Sequence, residues 1–351
     1  MNPRERWLAV LNGRRPDRTP CDYWGTAEIT DRLKKDLGCA DERALWERLG
    51  IDKCIYLSPC HPRSPEKTWH LQSHFAVWHV ETQAIGYGEN LGKYQEDAFH
   101  PLAEAGTVAD IEAFDWPDAA DFDIAALRRE AQKWAGYPIL GASSEPFYLY
   151  CRLRGMERAM EDMVQRPEMA EAVLERIFRF DYELIRRVLT EAGDLVDLIY
   201  VAEDLGTQQS LLLSPATIRQ RLLPRMKRIV DLVHSCGKFV FHHDDGAIRK
   251  ILPDLVATGI DLLNPIQWRC RGMEREALAR DFGPQVVFHG GIDNQQTLPF
   301  GRAEEVRAEV RDNLRLLAGG RGYIVAPCHN LQANTPTENV LALYEAVREF
   351  G

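Results

Sequence analysis

From residue 138 onward, short apolar runs recur between long helix-forming stretches, and this alternation narrows the fold more than any other feature of the chain. The runs lie at 138–142, 198–201, 239–241, 261–263, 286–288 and 323–326. Each is too short for a helix and lacks a polar face, the pattern of a strand covered on both sides in a parallel sheet. The stretches between them carry helix punctuation. Ser214 precedes Pro215 at a start, Cys236-Gly237 supplies a stop, and Glu304-Glu305 opens a helix over 303–317 that carries Arg311 and Arg315 toward its end. Runs at 20–24 and 52–57 bring the count to eight, and shorter helices are expected at 4–11 and 40–49. Eight strands alternating with helices predict a (β/α)8 TIM barrel, with residues 1–351 as one domain.

Residues 62–100 break the pattern. Trp69, His70, His74, Phe75, Trp78, His79, Tyr87 and Tyr94 crowd this segment, and polar–apolar alternation over 75–82 predicts a β-hairpin-rich insertion covering the barrel mouth. Trp69, Trp78 and Tyr87 are its candidates for shaping a pocket, and the same segment is an alternative docking face for a partner protein.

Bulk properties remove several classes. A net charge of −10 argues against nucleic acid or an anionic membrane surface as partner. The N-terminal residues lack the apolar core of a signal peptide and no apolar run reaches membrane-spanning length, so a cytoplasmic protein is expected. Eight cysteines at irregular spacing do not form a disulfide framework.

The polar groups at the strand ends carry the chemistry. The run His242-His243-Asp244-Asp245-Gly246 closes one strand, and core strands do not ordinarily end in four titratable groups unless these are paired or metal-bound. Glu203-Asp204 follow another strand, Asn264 and Gln267 a third, His289 and Asp293 a fourth, and Cys328-His329 the last. In a barrel these ends share one mouth, which predicts an enzyme. Period-two alternation turns one of His242 and His243 inward, and the spacing to Asp245 favours His243. Glu203, Asp204, His243 and Asp245 are the catalytic candidates; Asn264, Gln267, His289 and Asp293 are candidates for substrate binding. Gly290 and Gly291, after His289, would let a ligand approach the backbone. His243 and Asp245 with His329 make a two-histidine, one-carboxylate set suited to zinc or non-haem iron. The alternative is that Asp245 orients an imidazole or a polar substrate through hydrogen bonds.

Several of these segments carry a family resemblance. Glu203-Asp204-Leu205-Gly206, His243-Asp244-Asp245-Gly246, Leu262-Leu263-Asn264-Pro265-Ile266-Gln267, Gly290-Gly291-Ile292-Asp293 and Thr335-Pro336-Thr337-Glu338-Asn339, with Arg15-Pro16-Asp17-Arg18-Thr19-Pro20 near the start, resemble the uroporphyrinogen decarboxylase superfamily. The likeness is greatest to its methyltransferase-like branch. It implies a barrel with the active site at its C-terminal mouth, and a homodimer. True uroporphyrinogen decarboxylases carry an early Met-Arg-Gln-Ala-Gly-Arg-Tyr segment that grips substrate carboxylates. Here Asp22-Tyr23-Trp24-Gly25-Thr26-Ala27 stands in its place without an arginine, which argues against a polyanionic porphyrinogen substrate. The branch's methylcobalamin:coenzyme M methyltransferases hold zinc through a His-x-Cys pair and a later cysteine. By motif, His243 takes the histidine, Asp245 the first cysteine and His329 the second, with Cys328 one residue off.

The leading expectation is therefore a metal-dependent methyltransferase-like enzyme. It would use a divalent metal, zinc first, and a corrinoid reached through a partner protein. A metal-free lyase or decarboxylase acting on a small carboxylate is the alternative, and a non-catalytic corrinoid or small-molecule binding protein is the third reading.

Overall fold

A computed structural model describes residues 1–62, 76–86 and 93–351. Its centre is a parallel sheet built from β1 (Ile55–Leu57), β4 (Ile139–Ser144), β5 (Leu198–Ala202), β6 (Phe239–His243), β7 (Leu262–Asn264), β8 (Val287–Ile292) and β9 (Tyr323–Pro327), paired in that order. A helix or a helix-containing segment separates each strand from the next, and the seven-stranded sheet has the character of a TIM-like fold.

The buried side chains fall into two clusters, and strand periodicity explains the division. Leu140, Leu198, Tyr200, Ala202, Phe241, Leu262, Val287 and Ile324 form an inner cluster, while Ile199, Val201, Val240, Leu263, Phe288 and Val325 pack outward with the helices. Successive residues of a strand point to opposite faces, so Phe241 and His243 share the inner face. His242 goes with Val240 to the outer one. The helix Pro3–Leu11 contributes Trp7, Val10 and Leu11 to the inner cluster, and Trp7 donates through Nε1 to the carbonyl of Asp52 at 2.7 Å.

The expected first strand at 20–24 is reduced to isolated bridges, Cys21 with Val325 and Gly25 with Leu331. Its backbone still bonds on both sides. Asp22 N–H donates to Val325 and Asp52 N–H donates to Cys21, at 2.8 and 2.7 Å. Two carboxylates interrupt the regular ladder, however. Asp52 accepts the amide of Cys21 at 3.1 Å, and Asp22 accepts that of Cys54 at 3.0 Å. Buried acids here take amide protons that a strand would spend on carbonyls.

Within the described part of 62–100, β2 (Glu81–Gly86) pairs antiparallel with β3 (Lys93–Phe99) as a separate two-stranded sheet. Trp78 does not reach the site mouth. It is buried against Trp116 and Phe180, because a ring with so much apolar area finds a better partner in the outer core. Trp69, His70, His74, Phe75 and Tyr87 lie outside the described residues. Among the described residues, no helix is long and apolar enough to cross a membrane.

Candidate active site

The loops after β5 and β6 are held together backbone to backbone. Gly246 has a φ of +89°, and a Cβ there would come within 2.6 Å of Gly206. The Leu205 amide donates to Asp244 at 2.9 Å, Ala247 to the Thr207 carbonyl at 2.8 Å, and Gly246 to Gln267 Oε1 at 2.9 Å. This stitching brings Asp204 and Asp245 together beside His243. The His243 Nε2 lies 3.7 Å from Asp204 Oδ1 and 3.9 Å from Asp245 Oδ2, and one ligand atom from each of the three lies within 4.8 Å of the others.

Asp204 Oδ1 is buried without a hydrogen-bond partner among the described residues. Burial raises the pKa of this carboxyl, and the neighbouring His243 opposes the rise. A buried oxygen with unused acceptor capacity, an imidazole nitrogen and a second carboxylate is a donor set that fits a divalent metal with open positions. The remaining ring nitrogen of His243, Nδ1, lies 2.5 Å from Asn264 Oδ1, as expected for a metal-binding histidine with a fixed ring.

A cavity of about 450 Å³ opens beside the triplet. Its wall includes Asp204, Asp245, Gln267 and His329, with Phe147, Tyr148, Cys151 and Met156 on the helical side and Gln208, Asn294 and Gln295 on the loops. Among the described residues, no lysine or arginine lines it.

The sequence candidates thus occupy different positions. His329 faces the cavity, and burial lowers its pKa against the pull of Asp245, but it lies outside the close triplet. Cys328 turns away, buried, with Sγ directed at the Ile266 carbonyl, and burial pushes its thiol pKa well up. Glu203 is buried off the cavity wall and accepts the amide of Phe147 at 2.8 Å, at the start of the helix Pro146–Arg154. Asp293 accepts the amides of Gln295, Gln296 and Thr297 and pairs with Arg269. Asn264 and His289 sit behind His243, fully buried. Gly290 and Gly291 have positive φ and bring the backbone against Pro265, Tyr323 and Asn313, so tight internal packing explains them, not approach to a ligand.

Sequence reasoning missed Asp22 and Trp24 as parts of the site. Trp24 stacks on His243 with centroids 5.7 Å apart, and its Nε1 donates to Asp22 Oδ2 at 3.0 Å. The signal was available. An aspartate within a run expected to be buried calls for a partner.

The family model described as Uroporphyrinogen decarboxylase (URO-D) matches residues 75–350. The chain belongs to the uroporphyrinogen decarboxylase family. Uroporphyrinogen decarboxylase of Syntrophotalea carbinolica is 27% identical over 258 residues, 70% of each chain. The chloroplastic enzyme of Zea mays is 23% identical over 260 residues, and the match spans 71% of this chain but 62% of the maize protein. A methyltransferase from Methanosarcina mazei shares the fold, with a TM-score of 0.72 at 20% identity over 100% of this chain and 99% of that one. This family member therefore shares its fold with that solved structure and is 23–27% identical to these two decarboxylases.

Proposed function

We propose that this protein is a metal-dependent enzyme of the methyltransferase-like branch of its family, with Asp204, His243 and Asp245 as the resident ligands and His329 available at the cavity wall. The observation that carries the reading is the unpartnered, buried Asp204 Oδ1 facing His243 Nε2 beside a cavity. A divalent ion held there would supply Lewis-acid charge, favouring the anionic form of an acceptor group. Cys328 is not a ligand in this reading, so the donor set is oxygen and nitrogen, harder than a thiolate set.

The cavity wall supports the exclusion of porphyrinogens. A polycarboxylate placed there would meet Asp204 and Asp245 with no lysine or arginine among the described wall residues to compensate, and unpaired buried charge is costly. The same argument weakens the metal-free lyase reading, which needs a small carboxylate substrate. The neutral amides of Gln208, Gln267, Asn294 and Gln295, with Phe147 and Tyr148, suit a neutral or cationic group. The closed eight-stranded barrel, the homodimer and a corrinoid-carrying partner belong to the same proposal.

Zinc titration against a chromophoric chelator tests the reading, followed by demethylation of free methylcobalamin with a small thiol as acceptor. One zinc per chain, with turnover lost on chelation and in Asp245→Ala, is the expected result. A purified protein that binds no zinc, iron, cobalt or nickel would overturn it.

A further inference from the structure

We propose that Asp22, His289 and Asn264 form a one-way hydrogen-bond relay that fixes the tautomer of His243, with its proton on Nδ1 and the Nε2 lone pair facing Asp204 and Asp245. The inference deepens the metal reading of the same site and assigns three positioning residues, none of which touches the cavity.

The direction of the relay is set at its far end. Asp22 Oδ1 accepts the amides of Tyr23 at 2.8 Å and Cys54 at 3.0 Å, with Lys53 Nζ 3.5 Å away. Oδ2 accepts Trp24 Nε1–H at 3.0 Å and lies 3.2 Å from His289 Nε2. Burial works against the ionised form of Asp22, but Lys53 and His289 together hold its pKa below the ordinary value. An ionised carboxylate only accepts, so His289 must carry its proton on Nε2.

His289 is fully buried among Trp7, Trp24 and Phe241, with ring centroids 5.6, 5.9 and 5.1 Å away. Burial disfavours its charged form, and in the neutral ring with Nε2 protonated, Nδ1 carries a lone pair that needs a donor. Asn264 Nδ2 supplies it at 2.7 Å. That choice turns Asn264 Oδ1 toward His243 Nδ1, 2.5 Å away, and an amide oxygen can only accept there. His243 Nδ1 therefore carries a proton, and in the neutral ring that leaves the lone pair on Nε2. Trp24 bonds Asp22 and stacks on His243, so one indole braces both ends of the relay.

Asp22→Asn should reverse the chain. The amides of Tyr23 and Cys54, with Lys53 beside them, demand an oxygen at the Oδ1 position and outweigh the single Trp24 Nε1–H at Oδ2, which leaves the new NH2 group facing His289 Nε2. His289 would then protonate on Nδ1, Asn264 would flip, and His243 would carry its proton on Nε2, blocking the lone pair. Long-range ring 1H–15N correlations on metal-free protein with labelled histidine read this directly, with the His243 signals assigned by their loss in His243→Gln. The expected result is a wild-type His243 protonated on Nδ1, reversal in Asp22→Asn, and zinc affinity lower in that variant by about 10–100-fold. A wild-type His243 protonated on Nε2 would overturn the relay, and so would an unchanged pattern in a folded Asp22→Asn protein. If that variant does not fold, the wild-type pattern alone decides. A relay found intact in a protein without zinc affinity would sink the metal reading and leave the relay standing.

Discussion

Gly206 and Gly246 cross so closely that a Cβ on Gly246 would lie 2.6 Å from the Gly206 carbonyl carbon and 2.7 Å from the Thr207 oxygen. This contact joins the loops that deliver Asp204 and Asp245. Gly246→Ala adds a backbone clash to a φ of +89° that alanine adopts at a cost of about 1–2 kcal/mol. A total loss of about 2 kcal/mol or more in denaturant-derived stability is expected, with zinc affinity falling in parallel. Unchanged stability would contradict the crossing.

Asp204→Asn keeps the shape of the side chain and removes its charge. Because Asp204 Oδ1 has no partner among the described residues, the substitution breaks no hydrogen bond of that atom. Thermal stability of the metal-free protein is expected to hold or rise, while zinc affinity in chelator competition falls by about tenfold or more, as loss of a charged ligand should cost at least what an outer-shell change does. Parallel loss of both would make Asp204 a structural residue.

Cys328→Ser separates a sulfur-ligated centre from the one proposed. The thiol points to the Ile266 carbonyl 3.3 Å away, a contact that a hydroxyl can replace. Zinc stoichiometry is expected to remain unchanged and stability to move by about 1 kcal/mol, the worth of one hydrogen bond. Loss of zinc in this variant would restore cysteine to the ligand set.

Asp181, buried on the helix Pro167–Ala192, accepts the Ser144 hydroxyl at 2.7 Å, and burial pushes its pKa up to about 8. A folded-state pKa above the unfolded one means that this group's contribution is fully present below about pH 4 and is lost as pH rises through 8. Asp181→Asn removes that dependence and can still accept from Ser144. Its stability relative to wild type is expected to improve between pH 5 and pH 8 by about a few kcal/mol, measured by urea midpoints at both. An equal difference at the two pH values would contradict the raised pKa.

Most strand ends were readable in the chain itself, because a buried parallel strand needs an uninterrupted apolar run and its ligand-bearing end shows as an abrupt polar one. The 20–24 segment resisted that reading. It is expected to form a strand, but Asp22 and Asp52 take over amide protons, and nothing local announces that a carboxylate will replace a carbonyl. Trp78 shows a related limit. Aromatic density marks buried area without saying which of two cores receives it.

The order of strands and helices, the caps that end them and the inward face of His243 follow from the sequence, since strand and helix periodicities are properties of a few neighbouring residues. Which groups meet at His243 was decided by the tertiary structure. Asp204 joins the close triplet and His329 stays at the wall, because two loops cross at paired glycines. Asp22 reaches His289 across 267 residues of chain because both flank β9, where Cys21 bridges Val325 and His289 pairs with Ile324. Contacts set by closure and register have no local signature, so no reading along the chain could supply them.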